Sequence, residues 1–392
     1  MNFNSIIHEY ERALYVVGMR WYARPIWITY QLNKLYTVYW PAFRRCYRKR
    51  RWYQVTMDLI KLCYRYRCLP LHYFHYGLYR TEYTYHEMLN FLPESEFYYR
   101  YLPRVNFHHI LLDDKIIAHG IKRQFNVPVP TLVAFRRDGR WFGEGGETLD
   151  LEEFRNTLNK HIGTGLVVKP AVLTSGGEGI RMIQESNGGE WMDGEGVKVP
   201  VETLYQCYPH WDLLIQVRLV NGGSMIPFGR DILECFRVLT AFKAGRPEAL
   251  YVVLKIASQG SYTDNGRTGG IYVAVEPSSG TLSRVGVDQE GTVYEECPRT
   301  GTRFGNVRIQ EVREIISCVE RAALAFSSLS IVGWDIGLTE AGPVVIEGNS
   351  SPSLAMIQKT HHGSRRLIQC LRESNRIPKN RTFRAGDPDG TR

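Results

Sequence analysis

Gly333-Trp334-Asp335-Ile336-Gly337, followed by Val344-Val345-Ile346-Glu347-Gly348-Asn349, is the stretch that decides the fold. Both runs are apolar and strand-like, and Glu340-Ala341-Gly342-Pro343 between them reads as a turn. The pair is a predicted β-hairpin. Residues two apart on a strand share a face. Glu347 and Asn349 therefore point to one side, and pairing brings Asp335 beside them. Two carboxylates and an amide oxygen make a hard-oxygen set, which suits Mg²⁺ holding the phosphates of a nucleotide. A carboxylate on a strand is ordinarily a solvated group. Here apolar neighbours surround both, and an unpaired buried carboxylate is costly, so a metal or a basic partner is expected.

Upstream, Val167-Val168-Lys169-Pro170 closes a short predicted strand, and Thr174-Ser175-Gly176-Gly177-Glu178-Gly179 leads into another, Ile180–Ile183. Glycines let backbone N–H groups approach phosphate oxygens, and the lysine adds a point charge. The turn joins two strands, so it is neither a Walker A loop nor a dinucleotide fingerprint, both of which open a helix. An ordinary glycine-rich hairpin is the other reading. Further expected elements are strands at Thr131–Phe135, Leu213–Leu219, Cys235–Phe242 and Ala249–Ala257, and a helix at Gln310–Leu329.

The chain has 392 residues, with room for two or three domains. Its net charge of +9 is unevenly placed. Residues 1–104 hold 16 Lys+Arg against 7 Asp+Glu, and 18 of the 24 tyrosines, so the remainder is neutral overall. Eight scattered cysteines lack Cys-x-x-Cys or zinc-finger spacing and read as reduced core thiols. No signal peptide is read, and Arg20, Arg24 and Pro25 break the most apolar early run. The expected location is cytoplasmic, with peripheral placement at the inner membrane surface as an extension. His72/His75, His108/His109 and His361/His362 read as surface or loop histidines rather than metal ligands.

Taken in order, these pieces resemble the ATP-grasp superfamily, and most closely its sugar-transfer-associated branch. Leu112-Asp113-Asp114-Lys115 resembles the segment of the first nucleotide lysine. Val167–Pro170 with Ser175–Gly179 resembles the second lysine and lid loop. Leu213–Arg218 is similar to the hinge strand, Cys235–Thr240 to the arginine-bearing strand, and Asp264–Ile271 to the branch's Asp-Asn…Gly-Gly loop. The implied fold is α+β, two subdomains gripping ATP, preceded by a basic, aromatic-rich helical region. The expected boundaries are 1–104 for that region, 105–162 for the first ATP-grasp segment, 163–215 for the lid, 216–374 for the C-terminal catalytic subdomain and 375–392 for a flexible tail.

The resemblance implies ATP and Mg²⁺. A carboxylate takes the γ-phosphoryl group, and an amine then displaces phosphate from the acyl phosphate. Lys115, Lys169, Ser175, Gly176, Gly177, Glu178, Gly179, Gln216, Val217 and Arg218 are the implied nucleotide contacts. Arg237, Lys255 and Arg267 are the implied catalytic groups, and Asp335, Glu347 and Asn349 the implied metal ligands. The substrates implied are a small-molecule or glycan carboxylate and an amine, joined as an amide in glycan biosynthesis. A kinase, a peptide-forming ligase of natural-product biosynthesis, and a non-catalytic nucleotide-binding scaffold remain alternatives.

Two departures from the branch pattern stand out. Glu234-Cys235-Phe236 replaces Asn-Thr-Ile before Arg237, and Asn221-Gly222-Gly223 replaces a polar His-Pro pair after the hinge. The basic N-terminal region fits an acidic glycan or lipid-linked carrier, an anionic membrane surface, or nucleic acid. No nucleic-acid motif accompanies it. A solvated helical cap whose tyrosines pack on the catalytic core is the plainer reading.

Overall fold

The computed structural model describes residues 29, 32–161, 163–172, 179–185, 190–194, 196–206, 211–257 and 270–374. The expected helices before residue 29, the loop with Ser175, Gly176, Gly177 and Glu178, the loop with Arg267, and the tail from Asn375 lie outside the described residues. Two compact units divide the chain: Met1–Phe107 with Ser353–Arg392, and His108–Pro352. Helices Ala355–Thr360 and Arg365–Glu373, read from sequence as part of the last catalytic segment, thus group with the N-terminal residues.

In the first unit, helix α1 (Trp52–Tyr66) buries Val55, Leu62 and Tyr66. These pack with Tyr73, Tyr76, Tyr79 and Phe91 into an aromatic core. These tyrosines pack into the core of their own unit, whereas Tyr36, Tyr47, Tyr53 and Tyr64 are exposed. His72 corrects the surface reading: it is buried, its ring 5.6 Å from that of Tyr66, and desolvation pushes its pKa down to about 3. The run Leu71-His72-Tyr73-Phe74 gave little sign of this, because a four-residue helix is too short to show a period.

The second unit begins with helix α2 (Lys115–Gln124) and two seven-stranded sheets. The first sheet contains β1 (Leu132–Arg137), β2 (Arg140–Gly143), β3 (Thr148–Leu149), β4 (Leu166–Pro170), β5 (Arg181–Glu185), β6 (Trp191–Asp193) and β7 (Leu213–Val217). Their order is β3-β2-β1-β7-β4-β5-β6. Helix α3 (Leu151–Asn159) starts at Asp150, which accepts from Glu153 N at 2.8 Å in a capping box. Its Phe154 and Leu158 meet Leu166, Val168, Leu213 and Ile215 in one core. Alternation then sends Lys169, Leu214 and Gln216 to the opposite face, since Val167 pairs with Gln216 and Lys169 with Leu214.

The second sheet contains β8 (Cys235–Lys243), β9 (Arg246–Ile256), β10 (Ile271–Val275), β11 (Leu282–Val287), β12 (Val293–Tyr294), β13 (Ile331–Thr339) and β14 (Gly342–Asn349). Their order is β12-β11-β10-β9-β8-β13-β14. Helix α4 (Val312–Ala325) shares a core with Phe236, Val238, Trp334, Ile336 and Leu338. Trp334 is fully buried, and its indole N–H donates to Thr240 Oγ1 at 2.9 Å. The hairpin forms as expected, with Asp335 opposite Glu347 and Gly333 opposite Asn349. Ile336 pairs with Val345, so Ile346 is an extra, bulged residue.

The two departures from the family pattern meet in one buried network. Glu234 N donates to Asn221 Oδ1 at 3.0 Å, and Asn221 Nδ2 donates to the carbonyls of Gly229 (2.8 Å) and Ile232 (2.9 Å). The Glu234 carboxylate, wholly buried, accepts from Ala257 N at 2.8 Å and Arg299 Nη2 at 2.5 Å. After Asn221 and Gly222 the chain enters a short 3-10 helix, Gly223–Phe228. Glu234→Ala strands the buried Ala257 N–H and takes one of its two carboxylates from Arg299, which keeps Asp231 Oδ1 at 2.7 Å and the Phe228 carbonyl at 2.6 Å. It should cost about 1–3 kcal/mol in chemical denaturation, and a loss below about 0.5 kcal/mol would refute the strut.

Candidate active site

The faces of the two sheets that turn away from α3 and α4 carry the chemistry. On the second sheet, Arg237 lies beside Asp335 by register. Arg237 Nε donates to Asp335 Oδ1 at 2.6 Å and Nη2 to Oδ2 at 2.9 Å. Lys255 Nζ adds a third contact to Oδ2 at 3.3 Å. All three groups are buried or nearly so. Burial alone would raise the Asp335 pKa, but Arg237 and Lys255 outweigh it and hold the carboxyl below its ordinary value.

A second cluster lines a narrow cavity: Lys115, His119, Lys122, Lys169, Gln216 and Glu347. Asp114 caps α2 by accepting from Ile116 N (3.0 Å) and Ile117 N (3.1 Å). Lys115 N donates to Ala171 O at 2.9 Å, which ties the start of α2 to the end of β4 and so to Lys169. Arg137 bridges Asp114 and Asp212 behind them. Positions 115, 119 and 122 fall on one side of α2. Desolvation lowers Lys122 to about 7, helped by Lys169 and opposed by Glu347. It also lowers Lys169 to about 8, although Glu347 pulls the other way. His119 is lowered to about 4 by burial and by Lys122, and neither ring nitrogen has a hydrogen-bond partner.

Among the described residues, neither the Glu347 carboxylate nor the Asn349 side-chain amide makes a hydrogen bond or close ion pair. The enclosed volume is about 10 Å³, room for a single water. A much larger cavity of about 580 Å³ opens at the hinge end, lined by Met182, Gln184, Arg218, Val220, Arg230 and Arg299. Arg218 Nη1 donates to Gln184 Oε1 at 3.3 Å, and Val217 closes the strand before it. Gly179, at φ 76°, ends the lid loop in close packing; a Cβ there would come within 2.9 Å of both Pro170 and Trp211.

The fold therefore brings seven of the described site residues singled out from sequence into two clusters. Lys115, Lys169, Gln216 and Glu347 share one cavity, and Arg237, Lys255 and Asp335 form one ion cluster. His119 and Lys122 were missed. Their signal was the Lys115-x3-His119-x2-Lys122 spacing, which only a helix assignment turns into a shared face. Among the described residues no three His, Cys, Asp or Glu side chains converge as a metal site. Two carboxylates and an amide, with Asp335 already held by two cations, fit Mg²⁺ that keeps waters and shares phosphate oxygens. They do not fit a cage that takes the ion alone.

A family model described as sugar-transfer associated ATP-grasp matches residues 93–369, well over half of the chain. The chain belongs to this family. Among solved structures, this ATP-grasp protein is similar to D-alanine–D-alanine ligase from Bacillus anthracis, at 15% identity over 67% of each chain with a TM-score of 0.36. It is also similar to L-amino acid ligase from Bacillus licheniformis, at 13% identity over 66% of this chain and 44% of that one, TM-score 0.35. A third is N5-carboxyaminoimidazole synthase from Aspergillus clavatus, at 9% identity over 62% of this chain and 45% of that one, TM-score 0.37. The match spans between 44% and 64% of the first three structures found. Likenesses of this size say nothing about activity. No curated protein matches the sequence. Among the described residues no helix is long and apolar enough to cross a membrane.

Asp335→Asn removes the carboxylate that Arg237 and Lys255 share and should cost about 1–3 kcal/mol of stability near neutral pH. Because the Asp335 pKa is depressed in the fold, its contribution is present above about pH 4 and is lost as pH falls through the lower folded value. Acid denaturation of the variant should show a flatter dependence in that range. The lysines give a slope of the same sign in a higher pH window. With Lys122 at about 7 and Lys169 at about 8 in the fold, the unfolded chain, with lysines near 10.4, binds more protons in between. Stability of the ligand-free protein should rise from about pH 7 to pH 10, and Lys122→Met should lessen the slope. An unchanged slope in guanidinium titrations would contradict this placement of Lys122.

Proposed function

We propose that the protein is an ATP-dependent carboxylate–amine ligase that joins an amino acid or amine to a sugar acid in glycan biosynthesis, through an acyl phosphate. The observation that carries it is the convergence of Lys115, Lys122 and Lys169 on a cavity with an unpaired Glu347, beside an ion cluster of Arg237, Lys255 and Asp335. Family membership supports ATP as the substrate of that cleft, and the family's sugar-transfer association supports the acceptor class.

The charges suit the chemistry. The carboxylate oxygen of the acceptor attacks the γ-phosphorus of ATP, and ADP leaves. The amine nitrogen attacks the acyl carbon, loses a proton, and phosphate departs, so amide, ADP and phosphate are the products. The first step brings anions together, and fixed cations lower its barrier. Lys115, Lys122 and Lys169 bind the triphosphate, whose charge restores Lys122 and Lys169 to their charged form. The Gln216–Arg218 backbone reads the adenine edge, and the cavity at Arg218 is large enough for a nucleoside. Arg237 and Lys255 orient the transferring group, and Arg267 clamps the acceptor carboxylate. Residues Ser175, Gly176, Gly177, Glu178 and Gly179 close over the site and exclude water, which would hydrolyse an acyl phosphate. Asp335, Glu347 and Asn349 would hold Mg²⁺, which would supply further neutralisation of the phosphate oxygens.

Incubation with ATP, Mg²⁺, hydroxylamine and a panel of uronic acids should trap a hydroxamate and release ADP. Lys169→Met should lower that rate by roughly 10²–10³-fold. Stable phosphorylation of a hydroxyl, with no hydroxamate and no loss of water between substrates, would replace the ligase with a kinase.

A further inference from the structure

Helix α1 is apolar on two opposite sides. One side builds the aromatic core of its unit. The other presents Trp52, Tyr53, Met57, Ile60 and Tyr64 to solvent, with Trp52 79% and Tyr64 72% exposed. At 100° per residue these five fall within one stripe centred near Ile60. The outer side of a surface helix is ordinarily polar, so a continuous stripe of this kind calls for an apolar neighbour.

Its surroundings say which neighbour. Residues 32–67 contain ten Lys and Arg and a single acid, Asp58. Asp58 is buried, accepting from Tyr73 Oη at 3.1 Å and lying 3.5 Å from Arg50. The exposed face thus has no negative group of its own on this segment. Arg44, Arg45 and Arg48 stand just before the helix and Arg67 just after it, all exposed. Among the described residues none of these four makes an ion pair. Tyr47, wholly exposed, sits among them.

We propose that this outer face, with the arginines at its two ends, docks on an anionic phospholipid bilayer. The helix lies in the plane of the interface. Ile60 and Met57 enter the acyl boundary, Trp52, Tyr53 and Tyr64 sit at headgroup depth, and the arginines meet lipid phosphates. A second copy of the chain is disfavoured, because two such faces would bring like-charged rims together. Nucleic acid would use the aromatic rings and the arginines, but Ile60 and Met57 at the centre of the stripe offer bases no stacking partner.

Sedimentation of the full-length protein with vesicles tests the proposal, since every residue involved is exposed and the variants keep the core. Vesicles with 30% phosphatidylglycerol should bind, and pure phosphatidylcholine vesicles should bind far less. Arg44→Gln/Arg45→Gln/Arg48→Gln should weaken binding by roughly 100-fold at low salt, and Trp52→Ser/Ile60→Ser/Tyr64→Ser by roughly tenfold or more. ATP turnover in solution should be unchanged in both. Equal binding by wild type and variants would overturn the proposal. So would no binding to anionic vesicles, a dimer that the serine variant dissociates, or capture of RNA in preference to vesicles. A serine variant that loses thermal stability would show that the chain itself covers the face, and would overturn it too.

Discussion

The contact between Asp335 and its two cations holds the second sheet together at its centre. Arg237 and Asp335 are register partners on β8 and β13, and Lys255 comes from β9. Three neighbouring strands are thus cross-linked on the face opposite the Trp334 core. A slip of one residue would bury the ions among Phe236, Val238 and Ile336 and send those residues outward, so the ion cluster and the apolar core specify one register between them. The bulge at Ile346 then lets Glu347 return to the Asp335 side while Val345 stays in the core.

How much of this could be read beforehand follows from periodicity. On strands the period is two, and the alternation in Gly333–Asn349 placed Glu347 and Asn349 on one face beside Asp335 without a structure, whereas Gln216 came from the family likeness. The family likeness added Lys115 and Lys169. His119 and Lys122 were not visible, because the ten-residue helix that aligns them has a sparse apolar pattern and could have been read as polar surface. The internal neutralisation of Asp335 was not visible either. Arg237 lies 98 positions away and Lys255 80, and only the antiparallel order of β9, β8 and β13 brings them within reach.

The departures from the family pattern show the same dependence on long-range pairing. Asn221 and Glu234 looked like two separate oddities. They are hydrogen-bonded partners that join the hinge exit, the start of β8 and Arg299 into one buried strut. Asn221 holds the main-chain N–H of Glu234, and the Glu234 carboxylate holds Ala257 N and Arg299, so the two positions adjoin through the backbone of residue 234.

The narrow cavity of Lys115, His119, Lys122 and Lys169 has a consequence for the life of the protein. The lysines that line the cavity repel one another and face one carboxylate, Glu347, while the buried His119 imidazole is held neutral among them. Folding is resisted there, and any polyanion that enters relieves the repulsion as well as contributing its own contacts. Ligands that bind only the folded chain stabilise it by mass action. Proteases act on chains that open. A cleft wired this way couples persistence to occupancy: the protein is most durable when its ligand is abundant and is cleared fastest when that supply fails.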